Sequence, residues 1–156
     1  MMVLGIDPSL TQLGWAILED SRLIDSGVVK TKPAQPHHIR LMLLADGVRH
    51  VCRSRVFDLV AIEAGIAYGH GGERMRGTLL TAEARAVVTL AAFGVTGHAP
   101  LMIDQATAKK VAVGKGNAKK EAVHAAIEKR FGVGMTTDEA DAAAVALAAI
   151  GKEEGR

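Results

Sequence analysis

The chain has 156 residues, 49% apolar and 23% charged, with a formal net charge of +2 and a single cysteine. That balance suits one globular domain, 1–156, with an aliphatic core because aromatics are only 3%, and the lone Cys52 excludes an intramolecular disulfide and fits a reducing compartment. The longest apolar runs, such as AVVTLAAFGV, fall short of the roughly 20 residues that cross a bilayer, and the N-terminus enters a strand without a charged n-region or cleavage site, so neither a membrane span nor a signal peptide is expected.

VLGID reads as a buried strand ending in an acid. LGWAILED follows a turn at PSLTQ, and SRLIDSGVVK follows a second turn near Asp20 and Ser21, so the three form an antiparallel meander. Pro33 and Pro36 close it. Residues 37–54 place apolar side chains at 39, 41, 43, 44, 48 and 51, near helical spacing, with Pro36 suited to the helix start. FDLVAIEAG is a fourth strand and GHGG a loop. Residues 73–93 predict a long helix ended by Gly94. Its apolar positions 79, 80, 84, 87, 88, 91 and 92 exceed what one sheet-facing stripe needs, which marks it as a candidate dimer face. PLMID is a short fifth strand. Helices near 104–112 and 117–130 are joined by VGKGN, and a last helix covers about 137–150. The order βββαβαβααα predicts an α/β fold with a five-stranded mixed sheet flanked by helices on both faces.

Four carboxylates interrupt this apolar pattern. Asp7 ends the first strand, Glu63 lies in the fourth, and Asp138 and Asp141 stand three apart on the last helix. Thr136 and Glu139 match a capping box, which accounts for Glu139. The aspartate pair is different, because its face continues at helical spacing to Val145 and Ala148, both core positions. A carboxylate held against an apolar core needs a partner. Lys and Arg are scarce around the four in sequence, so the expected partner is a hard divalent cation, Mg²⁺ or Mn²⁺.

Charge is unevenly spread. Residues 105–130 carry seven Lys/Arg against Glu121 and Glu128, a net of +5, whereas residues 131–156 carry two against five acids, a net of −3. A basic stretch beside an acidic cluster suits a polyanion drawn towards bound cations, and a solvated lysine-rich helix has the same composition. The six histidines form no ligand pattern, and Cys52 reads as a small buried hydrophobe.

Taken together the segments resemble the RuvC family of Holliday-junction resolvases, within the ribonuclease H-like nucleases. VLGIDPSLTQLGWAIL resembles its first two strands and carries Asp7. LVAIEAG resembles the strand bearing its glutamate, here Glu63. VAVGKGNAKKEAV resembles its glycine- and lysine-containing stretch, and DEADAAAVALA its closing motif with Asp138 and Asp141. The family commonly has Gly after Asp-Pro where this chain has Ser9, a variant associated with phage-like members. The aromatic that cellular members carry three residues after the glutamate is Ile66 here, with Tyr68 two residues further on as a candidate substitute.

The resemblance implies a metal-dependent endodeoxyribonuclease that acts as a homodimer on branched DNA. It would nick four-way junctions in pairs, with two Mg²⁺ ions per site (Mn²⁺ substituting) and no small-molecule cofactor, in the cytoplasm of a bacterial or phage-infected cell. Asp7 would bridge the ions, with Glu63 on one side and Asp138 and Asp141 on the other. Lys109 and Lys120 occupy the family's functional lysine positions. Lys110, Lys115 and Lys119, with Arg74 and Arg76 at the start of the long helix, read as sequence-independent phosphate contacts. Competing readings are a fork or flap nuclease, an RNA–DNA hybrid nuclease on the same fold, and an inactive junction-binding protein. A sugar kinase or ATPase with a similar first strand would need a second lobe, for which the chain has no room.

Overall fold

The computed structural model describes residues 1–65 and 72–155, with backbone only for 72–75. Its elements run β1 (Met2–Asp7), β2 (Gln12–Glu19), β3 (Arg22–Lys30), α1 (His37–Ser54), β4 (Leu59–Ala64), α2 (Gly72–Thr96), β5 (Leu101–Asp104), α3 (Gln105–Val113), α4 (Lys120–Phe131) and α5 (Thr137–Glu154). The sheet order is β3-β2-β1-β4-β5. The first three strands pair antiparallel, while β4 joins β1, and β5 joins β4, in parallel. The expected element order and mixed sheet are both present. Asp20 and Ser21 make the β2–β3 turn with φ of 47° and 65°. Two consecutive positive φ values give the tight loop whose twist matches its flanking strands.

Strand alternation divides the core into two layers. Val3 of β1, Ala16 and Leu18 of β2, Ala61 of β4 and Ile103 of β5 face α3, α4 and α5. Leu4, Ile6, Leu13, Ile17, Val60 and Ile62 face α1 and α2 on the other side. The α5 helix is buried from Ala142 to Ile150, enclosed by the sheet on one side and by α3 and α4 on the other. A helix enclosed this way is apolar all round, and its alanines let it lie close to the strands. Two glycines complete the approach. A Cβ on Gly5 would collide with the backbone at Ala142 and Ala146, and one on Gly14 with the backbone of Asp138. Only bare backbone at those two strand positions allows the first turns of α5 to settle on β1 and β2.

Four details depart from expectation. Gly94 lies inside α2, and the helix ends at Gly97, which has φ 72° and donates its N–H to the Phe93 carbonyl at 2.8 Å. The left-handed residue, not the first glycine met, stops the helix. The α5 helix runs four residues past 150, since Gly151 continues it, and α4 begins at Lys120 rather than 117. Finally, Arg76–Thr96 of α2 has a mean hydropathy of 1.4 and is long and apolar enough, by length and composition, to cross a membrane. A reading by apolar runs misses this, because isolated polar residues such as Thr81 and Arg85 interrupt the pattern while its average stays high. Ala84, Val88, Ala91 and Ala92 form the buried stripe of α2, while Leu79, Leu90 and Phe93 are exposed on its outer side.

Candidate active site

Parallel pairing of β1 with β4 brings two strand ends together. Asp7 is the last residue of β1, and Glu63 lies one residue from the end of β4. Alternation puts both on the α5 side, since Val3 and Ala61 face that layer and Ile6 and Ile62 face the other. Carboxyl ends of strands, where the chain reverses direction across a sheet, are where open α/β sheets gather ligands. The start of α5 lies over the same spot because Gly14, opposite Asp7 in the β1–β2 register, accommodates the Asp138 backbone.

The result is a carboxylate cluster. Oxygens of Asp7, Asp138 and Asp141 all lie within 4.8 Å of one another, and Glu63 stands close enough for its charge to act on Asp7. Burial first, then the charges of Glu63 and Asp141, raise the Asp7 carboxyl well above the usual range. Burial also raises Asp141, although the hydrogen bond and charge of Lys120 oppose the rise. Like charges held this close favour protonation unless a cation joins them. The donors are all carboxylate oxygens, and among the described residues the histidine and thiol groups that softer metals choose are missing from this cluster. That set fits a hard divalent cation.

A basic side chain already reaches the cluster, contrary to the expected scarcity of Lys and Arg. Lys120 Nζ is 2.8 Å from Asp141 and 3.4 Å from Asp138. Burial works against its charge, but the two aspartates and Asp7 hold its pKa above the ordinary value. The sequence hides this contact because Lys120 starts α4 while the aspartates start α5, and only the packing of α4 on α5 joins them. Lys109, half-buried on α3, adds a favourable charge to Asp141. Lys110, Lys115 and Lys119 are exposed on α3, in the following loop and at the N-cap of α4. Arg76 is exposed on α2, in the other helical layer, so it does not share a layer with these lysines. The side chain of Arg74, and Ile66 and Tyr68 altogether, lie outside the described residues.

A second contact escapes sequence reading. Gln12 Nε2, at the start of β2, donates to Asp138 Oδ2 at 2.6 Å. Two further acids at this end of the sheet have structural duties. Glu139 accepts from the Thr136 N–H at 2.8 Å and from Ser26 Oγ at 3.0 Å, completing the expected capping box. Burial opposes its charge, yet these bonds hold its pKa below the usual value. Asp104 caps α3 by accepting from the Thr107 N–H at 2.8 Å and hydroxyl at 2.6 Å. Cys52 is buried in α1, where burial pushes its thiol to about 11, and it is inert. His37 pairs with Glu83 between α1 and α2, and His124 meets the Met135 carbonyl; neither joins the carboxylates.

A five-stranded mixed sheet with acids at the ends of its two central parallel strands, closed by an acidic helix start, defines a ribonuclease H-like nuclease fold. The family model for crossover junction endodeoxyribonuclease RuvC matches residues 3–150. A Synechococcus protein of that name (strain WH7803) is 31% identical, with 94% of this chain and 96% of that one covered. Another from Trichlorobacter lovleyi is 34% identical, with 96% and 85% covered. The structure of Thermus thermophilus RuvC in complex with a Holliday junction substrate superposes with a TM-score of 0.82 at 28% identity, covering 99% of this chain and 96% of that one. The chain belongs to the RuvC family.

Proposed function

We propose that this chain, as one domain spanning 1–156, is a Mg²⁺-dependent endodeoxyribonuclease that resolves four-way DNA junctions by paired nicks, working as a homodimer in the cytoplasm of a bacterial or phage-infected cell. The observation that carries the reading is the convergence of Asp7, Asp138 and Asp141 within 4.8 Å, with the charge of Glu63 acting on Asp7. Family membership and the junction-bound relative supply the substrate.

Asp7, Glu63, Asp138 and Asp141 would hold two divalent ions, which when bound supply an activated water and stabilise the leaving oxygen of a phosphodiester. The chain's own residues position and neutralise. Asp7 lies centrally, within reach of the Glu63 charge and close to both α5 aspartates. Lys120 lowers the negative charge that an incoming phosphate meets, and Lys109 extends this over α3. Lys110, Lys115 and Lys119, with Arg74 and Arg76, contact phosphates irrespective of sequence.

The deciding experiment offers the protein, with Mg²⁺, a labelled immobile junction, a fork, a nicked duplex and an RNA–DNA hybrid. Symmetric paired nicks in the junction are expected. Equal cutting of forks and junctions would replace the reading with a branched-DNA nuclease, and cutting of the hybrid alone with a ribonuclease.

A further inference from the structure

We infer that Gln12 is a positioning residue of the metal site, setting the orientation of the Asp138 carboxylate. The inference rests on the assignment of Asp138 as a metal ligand. Two polar side chains among the described residues reach the Asp138 carboxylate. Gln12 Nε2 donates to Oδ2 at 2.6 Å across β2 and α5, and Lys120 Nζ lies 3.4 Å from Oδ1. The Gln12 bond is the shorter, and its donor is the better fixed. Gln12 begins β2, pairs with Lys30 in the β2–β3 register, and lies two residues from Gly14, on which the Asp138 backbone rests. One strand therefore fixes Asp138 twice, at its backbone through Gly14 and at its carboxylate through Gln12.

The amide chemistry fits this part. A primary amide donates to a carboxylate without adding charge. It restrains rotation about the terminal carboxyl torsion, which is otherwise broad. Lone pairs remain on both oxygens for a cation. Groups that orient ligands in this way commonly set metal affinity by about 10–100-fold. A carboxylate at Gln12 would repel Asp138, and an aliphatic side chain would leave the Asp138 carboxyl free to swing towards Lys120. Nothing else about Gln12 explains its place. It is half-buried at a strand start where β-branched or aromatic residues favour the sheet, and Asp138 is the side chain it bonds among the described residues.

The test is calorimetric titration of Mn²⁺ into the DNA-free protein, compared for wild type, Gln12→Leu, Gln12→Met and Asp138→Asn, with the thermal unfolding of each measured without metal. Both Gln12 variants should bind Mn²⁺ about tenfold more weakly than wild type, while unfolding near the wild-type temperature. Wild-type affinity in either folded variant overturns the inference. If Asp138→Asn also binds as wild type does, the metal-site assignment itself fails; if it loses binding while the Gln12 variants do not, only the role of Gln12 fails. Should one Gln12 variant unfold early, the other decides.

Discussion

Asp7 sits among groups of its own sign, with Glu63 and Asp141 nearby. Burial and these charges raise its pKa, so the folded chain holds this proton more tightly than the unfolded one does. The contribution to stability is full below the unfolded value near pH 4 and is lost as pH rises through the raised folded value. Asp7→Asn removes the titrating group, so it should flatten the dependence of the metal-free protein's melting temperature on pH above about 4. The same change should abolish junction cleavage while binding in Ca²⁺ survives, because the lysines are untouched. An unchanged pH dependence, or retained turnover in Mg²⁺, would count against the cluster. Glu139 behaves oppositely. Its pKa is lowered by its bonds to Thr136 and Ser26 despite partial burial, so its contribution is present at neutral pH and lost as pH falls through the folded value. Glu139→Gln should leave cleavage nearly unchanged and cost about 1 kcal/mol or less in denaturant unfolding. A large fall in turnover with the fold intact would move Glu139 into the site.

Among the elements, α5 and β1 carry the site, and the seat of α5 on the sheet is set by two missing side chains. A methyl on Gly14 would collide with backbone rather than with a side chain that can turn away, so α5 must shift and carry Asp138 with it. Gly14→Ala should cost about 3 kcal/mol by denaturant unfolding and reduce cleavage even under conditions where the protein remains folded. Wild-type turnover would mean that Asp138 tolerates displacement. The strands and helices are legible in the sequence because periodicity is local. An apolar run ending in Asp7 and a capping box before an alanine-rich face identify β1 and α5 without reference to the rest of the chain. The aspartate pair is legible for the same reason, its face continuing to Val145 and Ala148, both buried. Contacts between elements are not. Gln12 reads as one more turn residue after PSLT, and its bond to Asp138 spans 126 positions. Lys120 is singled out only by the family resemblance, and its contact with Asp138 and Asp141 appears only when α4 packs on α5. The end of α2 falls at Gly97 rather than Gly94 because a glycine stops a helix through its conformation, and φ is not written in the residue name.

At the scale of the whole molecule, the outer side of α2 is an apolar feature that the site does not use. Leu79, Leu90 and Phe93 are 58%, 71% and 50% exposed, and at 100° per residue they share one stripe with exposed Ala86. Contiguous apolar surface of this kind marks an interface, and the occupant that fits the proposed function is α2 of a second copy. Two-fold symmetry would match a stripe against itself, and a stable pair calls for roughly 1,200–2,000 Å² in total, which this stripe could only nucleate. Two sites held in a fixed relation can cut the two equivalent strands of a junction within one bound lifetime, and two basic surfaces acting together favour a branched substrate over a linear duplex. Leu90→Glu places a charge in the middle of the stripe without touching the buried residues Val88, Ala91 and Ala92. Sedimentation at micromolar concentration should show a dimer for wild type and a monomer for the variant. The variant should bind Mn²⁺ as wild type does, prefer junction over duplex far less, and give single rather than paired nicks. A monomeric wild type, or a dimer that survives the substitution with pairing intact, would place the interface elsewhere.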